Sequence, residues 1–295
     1  MHTIRKLLYK DGTWAFLMLL PNLLGFLVFM VFPVAATFAI SFARWELPAD
    51  IEFAGLANYR RLFADGVFAK VFWNTVYFTA VSVPVGIVLS LFLAIMLDRK
   101  LRFVRFYRAA FFIPVISSMV AIAVIWQWIY NPEFGLLNYV LSWFGIRGPT
   151  WLTSTTWAMI AVIMTAVWKN LGFNMLIFLA GLQSIPESYY EAAAIDGARW
   201  WARFRHITVP LLAPTTFFVT VMAVINSFQV FDIVYLMTQG GPARSTSVLV
   251  YYIYQNAFQF FDMGYASAVA YVLFFVVLFL TLLQFLRQKR ISIFY

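Results

Sequence analysis

Six long apolar stretches, separated by shorter polar ones, run along the chain at roughly residues 14–40, 71–97, 107–130, 154–183, 211–237 and 264–286. Each exceeds the ~20 residues an α-helix needs to cross a hydrocarbon core ~30 Å thick. Backbone amides inside lipid must find partners within the protein, so these stretches read as helices. The ~10-residue alternating segments of an outer-membrane barrel are absent. The last stretch stops cleanly at Arg287. The pattern predicts an all-α membrane protein: a tail 1–13, a transmembrane region 14–286 with six helices, and a tail 287–295. The first stretch has a basic start and small residues at Ala35, Ala36 and Ala39. It is longer than the apolar core of a secretory signal, about 7–15 residues, so it is expected to stay as an uncleaved span. Pro21, Gly25, Pro33, Pro84, Gly86, Pro114 and Gly172 punctuate the stretches and are expected to be packing kinks.

Composition agrees with that class. The chain has 295 residues, 63% hydrophobic, 20% aromatic and only 11% charged, where a soluble domain carries about 25% charged residues. There is no cysteine, which excludes disulfides and thiol chemistry. Only His2 and His206 could offer imidazole, so no metal site is expected. A formal net charge of +9 would in a soluble protein suggest nucleic acid; in a membrane protein it reads as basic residues gathered on the cytoplasmic side.

The basic residues set an orientation. Arg5, Lys6 and Lys10, then Arg99, Lys100, Arg102, Arg105 and Arg108, then Arg199, Arg203 and Arg205, and finally Arg287, Lys289 and Arg290 all fall on one side. The other side has Arg44, Arg60, Arg61, Lys70, Arg147 and Arg244. Both termini and the 184–210 loop are therefore expected in the cytoplasm.

That loop is the most distinctive polar segment. Pro186 suits a first helical turn, with Glu187 and Glu191 near the positive helix end. Tyr190, Ala193 and Ala194 are three or four apart and make one face of small residues. Asp196 and Gly197 end the helix, since glycine adopts a left-handed conformation cheaply. A basic, aromatic second helix follows, Arg199 to His206. From the residues alone two readings stand: a stiff helix pair that enters a groove on a partner, with a glutamate for an Arg or Lys there, or an interfacial hairpin with Trp200 and Trp201 among the headgroups.

The run Glu191-Ala-Ala-Ala-Ile-Asp-Gly197, followed by Ile207-Thr-Val-Pro210, is similar to the EAA loop of binding-protein-dependent ABC importer permeases. The runs Phe53-Ala-Gly-Leu-Ala-Asn-Tyr59, Phe134-Gly-Leu-Leu-Asn138 and Leu179-Ala-Gly-Leu-Gln-Ser-Ile-Pro186 resemble the carbohydrate-uptake branch, the maltose and glycerol-3-phosphate types. So do Phe228-Gln-Val-Phe231 and Thr238-Gln-Gly-Gly-Pro242. Val209-Pro210 departs from the commoner Leu-Pro. The resemblance covers nearly the whole chain and implies the maltose-permease-like fold. It also implies a sugar importer of the bacterial inner membrane working by alternating access, with a second homologous permease, an ABC ATPase dimer and an extracytoplasmic solute-binding protein. ATP and Mg would belong to the ATPase, and this chain would hold no cofactor. Glu191 would dock into the ATPase, Ala192 and Ala193 would fit its groove, and Asp196 with Gly197 would make the bend. Gly240, Gly241 and Pro242 would touch the binding protein; they equally make a plain turn.

The same resemblance implies that a sugar sits between spans four and five. Counting from the shared motifs places Ala166, Asn170 and Phe173 on span four and Ala223, Asn226, Ser227 and Val230 on span five, each set on one helical face. Amides suit hydroxyls and an aromatic face suits C–H stacking. Asn170, Asn226 and Ser227 also fit as interhelical polar glue. Lys169, deep in span four, is a candidate contact for an anionic substrate; a pairing with a carboxylate or backbone carbonyl of a neighbouring subunit is the favoured alternative. Asp232 is a candidate partner or gate group. No G-x-x-x-x-G-K-[ST] loop is present and no His/Ser/Asp cluster supports hydrolysis, so the chain is not expected to be an enzyme. The rival readings are a secondary transporter and a membrane anchor for an ATPase complex.

Overall fold

The structure is a computed structural model that describes residues 11–46, 48–98 and 102–291. Arg5, Lys6, Lys10, Arg99 and Lys100 of the orientation argument, the side chains of Lys289 and Arg290, and most of the tail 1–13 lie outside the described residues. Packing divides the chain into two units. One holds the residues up to Ala64 together with Ile253–Val272; the other holds Asp65–Tyr252 and the residues from Leu273 on.

In the first unit an apolar helix runs Trp14–Ser41 with none of its most apolar window buried in the protein. A surface so apolar and so uncovered is what a lipid-facing helix presents. It consists of α1 (Asp11–Phe26), a wider turn at Leu27–Val31, and α2 (Phe32–Ser41). Beyond it, β1 (Ala43–Arg44) and β2 (Glu52–Phe53) pair antiparallel, and α3 (Ala57–Ala64) follows. Asn58 on α3 donates to the carbonyls of Ser41 and Ala43 at 3.0 and 2.8 Å, which satisfies groups left open where α2 ends. Arg61 meets Asp262 at 2.6 Å and lies 4.3 Å from the centre of the Tyr265 ring. Asp262 in turn accepts the Tyr265 N–H.

The second unit is built on two long helices, α4 (Gly66–Leu97) and α8 (Ala158–Gln183). Asp65 caps α4 by accepting the Val67 N–H at 2.8 Å. At about 1.5 Å per residue, 32 residues make α4 about 48 Å long, ample for a tilted span. Ala94 and Leu97 of α4 pack with Met175, Phe178, Leu179 and Leu182 of α8, and with Leu212 and Val219, in one buried cluster. A Cβ at Gly172 would run into the Phe111 carbonyl, so the absence of a side chain lets α5 (Val104–Ile116) lie against α8. Along the chain come the short helices α7 (Leu136–Trp143), α11 (Val209–Leu211) and α14 (Leu249–Tyr254).

Two of the six apolar stretches are not single straight helices. Stretch 107–130 is α5 and then α6 (Met119–Ile129), bent by 101° across Ser117 and Ser118. Stretch 211–237 is α12 (Ala213–Phe228) and then α13 (Asp232–Met237), with Gln229–Phe231 between them. A segment Trp200–Leu211 meets α12 at 63°. Four helices among the described residues are therefore long and apolar enough to cross a membrane singly, and six spans result if each bent pair counts as one. The last is α15 (Met263–Ile291).

Candidate substrate cavity and coupling hairpin

Asn170 and Phe173 stand one and two turns past Ala166 on α8, and Ala223, Asn226 and Ser227 share a face of α12. These six residues, with Val230 just beyond the end of α12, border a single cavity of about 300 Å³. Lys169 and Asp232 border it as well. Such a volume is at the low end for a small-molecule site. Asn170 and Asn226 are exposed, as is Phe173, so the cavity is open rather than closed within the unit.

The polar groups are not equally available. Ser227 Oγ donates to Thr79 Oγ1 at 3.0 Å and also contacts the Val224 carbonyl at 2.8 Å. Its hydroxyl ties α12 to α4, the polar-glue alternative. Asn170 uses its amide nitrogen on the Ala166 carbonyl at 2.9 Å, one turn back.

Lys169 Nζ lies 3.4 Å from the carbonyls of both Pro114 and Val115. The physical reason is the bend. Ser117 N–H still reaches the Ile113 carbonyl, but the chain turns at once, and the last carbonyls of α5 lose their in-helix donors. An ammonium placed there satisfies them and meets the negative end of the helix dipole. The carbonyls belong to this same chain rather than to a neighbouring subunit.

Sequence reasoning missed the wall contributed by α4, where Phe78, Ser82, Val83 and Gly86 border the cavity. Met119 at the bend and Asn174 and Gln229 also line it. A signal existed: Ser82 and Gly86 are four apart inside a run that is otherwise almost wholly apolar.

The polar loop folds as a hairpin. Its first arm is α9 (Glu187–Ile195), with Pro186 in the capping position just before it rather than in the first turn. Gly197 has φ +76°. Its N–H bonds the Ala194 carbonyl, while Ala198 N–H bonds the Ala193 carbonyl at 2.8 Å. This is the Schellman ending that a left-handed glycine permits. The second arm begins with α10 (Trp200–Arg203). Arg203 Nε donates to the Ala198 carbonyl at 2.7 Å, and the hydroxyls of Tyr190 and Thr208 meet at 3.0 Å. Glu191, Ala192 and Asp196 are left exposed, Ala193 is half-buried, and Ile195 is 88% exposed.

Gly240, Gly241 and Pro242 form a turn braced from within. Gly240 has φ +76°, and a Cβ there would come 2.7 Å from the Tyr251 ring. Thr246 Oγ1 donates to the Gly241 carbonyl and meets Thr238 Oγ1, both at 2.8 Å. Lys70 Nζ holds the Ala243 carbonyl at 2.7 Å. No metal-binding group of His, Cys, Asp and Glu occurs among the described residues.

Residues 86–293 match the family model described as the binding-protein-dependent transport system inner membrane component. The sulfoquinovosyl glycerol transport system permease protein SmoG of Agrobacterium fabrum is 38% identical over 266 residues, covering 90% of this chain and 86% of that protein. The lactose transport system permease protein LacF of Rhizobium radiobacter is 38% identical over 291 residues, covering 97% and 96%. Among solved structures, a chain of a bacterial alginate ABC transporter in complex with an alginate pentasaccharide-bound periplasmic protein superposes with a TM-score of 0.84. It is 25% identical, and the match covers 95% of each chain.

Proposed function

The chain belongs to the inner membrane components of binding-protein-dependent transport systems, and on that premise we propose that it passes a sugar across the inner membrane as one permease subunit of an ATP-driven importer. The observation that carries the sugar assignment is the cavity: Asn170, Phe173 and Asn226, from two separate helices, converge on it. Two amides and an aromatic face answer the hydroxyls and C–H faces of a sugar ring. Relatives named for sulfoquinovosyl glycerol and lactose, and a structural neighbour named for alginate, support the same class.

The open side of the cavity suits a second, homologous permease that supplies the facing wall. The hairpin Glu187–Thr208 suits an ABC ATPase dimer, which would bind ATP and Mg: Glu191 offers charge, Ala192 and Ala193 fit closely, Ile195 adds apolar surface, and Asp196 with Gly197 holds the tip. The braced turn at Gly240, Gly241 and Pro242 would meet the binding protein. ATP-driven approach of the two hairpins would rock the spans and expose the cavity to each side in turn. In this orientation the termini and the hairpin face the cytoplasm.

Uptake of lactose, sulfoquinovosyl glycerol and an alginate pentasaccharide into vesicles carrying the whole transporter tests the assignment. Asn170→Ala and Phe173→Ala are expected to raise the KM for whichever is taken up, each by about tenfold, with unchanged thermal stability. Unchanged KM in both variants would remove the sugar from this cavity.

A further inference from the structure

The α4 wall carries a feature that the sugar assignment does not use. Phe78, Ser82 and Gly86 recur at intervals of four, so they share one face of α4, and all three border the cavity. Hydroxyls inside helices ordinarily settle on the carbonyl three or four residues back. Here Thr75 bonds Val71, Ser117 bonds Ile113, Thr165 bonds Ala161, Thr220 bonds Thr216 and Ser227 bonds Val224. Ser90, two turns beyond Ser82, reaches across to the Leu171 carbonyl at 3.2 Å. Ser82 does neither. The residue is 9% exposed, and its Oγ, itself closed off, has no hydrogen-bond partner among the described residues.

A buried hydroxyl without a partner lowers stability, because its bonds to water are lost and nothing replaces them. We infer that the missing partner is the substrate: a turn about χ1 brings Ser82 Oγ into the cavity that the residue borders, where it exchanges a hydrogen bond with a sugar hydroxyl, making α4 a third binding wall beside α8 and α12. A serine hydroxyl both donates and accepts, so it matches a neutral hydroxyl without requiring charge on the ligand. The neighbouring groups leave room for one. Gly86 is buried, yet a methyl group built on it would meet no atom within 4 Å. The void therefore continues past Ser82 along α4. The 3.0 Å bond from Ser227 to Thr79 keeps the α12 wall in register with this column. The inference rests on the cavity being the sugar site.

The absence of cysteine makes the test direct. Ser82→Cys, or Asn170→Cys as a reference, places the only thiol of this subunit at the cavity wall in the full transporter. The probe is the water-borne thiol reagent sulfonatoethyl methanethiosulfonate, with and without lactose, sulfoquinovosyl glycerol or an alginate pentasaccharide. Both thiols are expected to react, and the same sugar is expected to protect both. Ser82→Ala is expected to raise the KM for that sugar about three- to tenfold, with unchanged kcat and, without sugar, a melting temperature that rises rather than falls. If the Ser82→Cys thiol does not react, or reacts without protection while the Asn170→Cys thiol is protected, the role of Ser82 alone is overturned. Failure of every sugar to protect either thiol overturns the sugar assignment as well. An unchanged KM in Ser82→Ala overturns the inference whatever the labelling shows.

Discussion

Three side chains in the second unit end other helices by meeting their last carbonyls. Arg108 reaches the Leu97 carbonyl at the end of α4, Gln127 reaches those of Leu236 and Met237 at the end of α13, and Lys169 reaches those of Pro114 and Val115 at the end of α5. In an apolar surrounding an unmet carbonyl has no water to turn to. Lys169→Met keeps most of the length of the side chain and removes the charge. It is expected to destabilise the chain by about 1–3 kcal/mol, the cost of leaving buried acceptors open. Lys169→Arg is expected to recover most of that loss. Thermal unfolding of the purified transporter in detergent reads the difference. A lysine that served an anionic substrate instead would give the opposite result, with melting unchanged and uptake lost. This is where sequence reading reached its limit at the residue scale. It marked Lys169 as a charge needing a reason, but the reason lies in a bend far back along the chain that only three dimensions bring beside it.

The same bend explains what was legible among the elements. Hydropathy reports that a stretch is apolar and long, not whether it keeps one direction. Stretches 107–130 and 211–237 therefore read as spans, while the polar residues at the turn, Ser117 and Ser118, and at the break, Gln229, are too few to end an apolar stretch. Pro114, the visible helix breaker, lies inside α5 rather than at the turn. Ala166, Asn170 and Phe173 share a face of α8, and Ala223, Asn226 and Ser227 a face of α12, because helical spacing keeps a face once the register is known, whereas Val230 falls past the end of α12. The α4 wall was passed over because nothing in its own spacing says which neighbour it faces. Two glycines make the packing testable. Gly172→Ala would push a methyl into the Phe111 carbonyl, backbone that cannot swing aside. It is expected to lower stability by at least about 1–3 kcal/mol. Gly86→Ala meets open space. It is expected to leave the melting temperature essentially unchanged while narrowing the cavity and reducing uptake of the larger sugars first. No melting loss in Gly172→Ala would show that the α5–α8 approach is looser than the structure has it.

For the whole molecule the orientation and the coupling to ATP stand or fall together, since the hairpin must face the compartment that holds ATP. Single thiols at Ile195 and Phe144, 88% and 75% exposed, sit in loops that the orientation puts on opposite sides. In intact cells a membrane-impermeant maleimide is expected to label Phe144→Cys and to spare Ile195→Cys until the membrane is opened; the reverse pattern would invert the protein. Glu191 then tests the coupling itself. The hairpin holds its shape through the Gly197 ending, the Arg203–Ala198 bond and the Tyr190–Thr208 contact. None of these uses the carboxylate of Glu191, which is exposed. Glu191→Ala therefore leaves the fold intact and removes only what a partner would meet. If that partner presents a cation in a closed groove, losing the carboxylate leaves the cation buried and unpaired, at a cost of about 2–5 kcal/mol. ATPase recovered with the chain is expected to fall by about tenfold or more, and sugar-stimulated ATP hydrolysis to fall with it, at an unchanged melting temperature of the permease itself. Glu191→Arg should be worse than alanine, because it sets like charges against each other. Full recovery of the ATPase with both variants would leave the hairpin without its docking role, and the aromatic arm at Trp200, Trp201 and Phe204 would then count as a headgroup anchor.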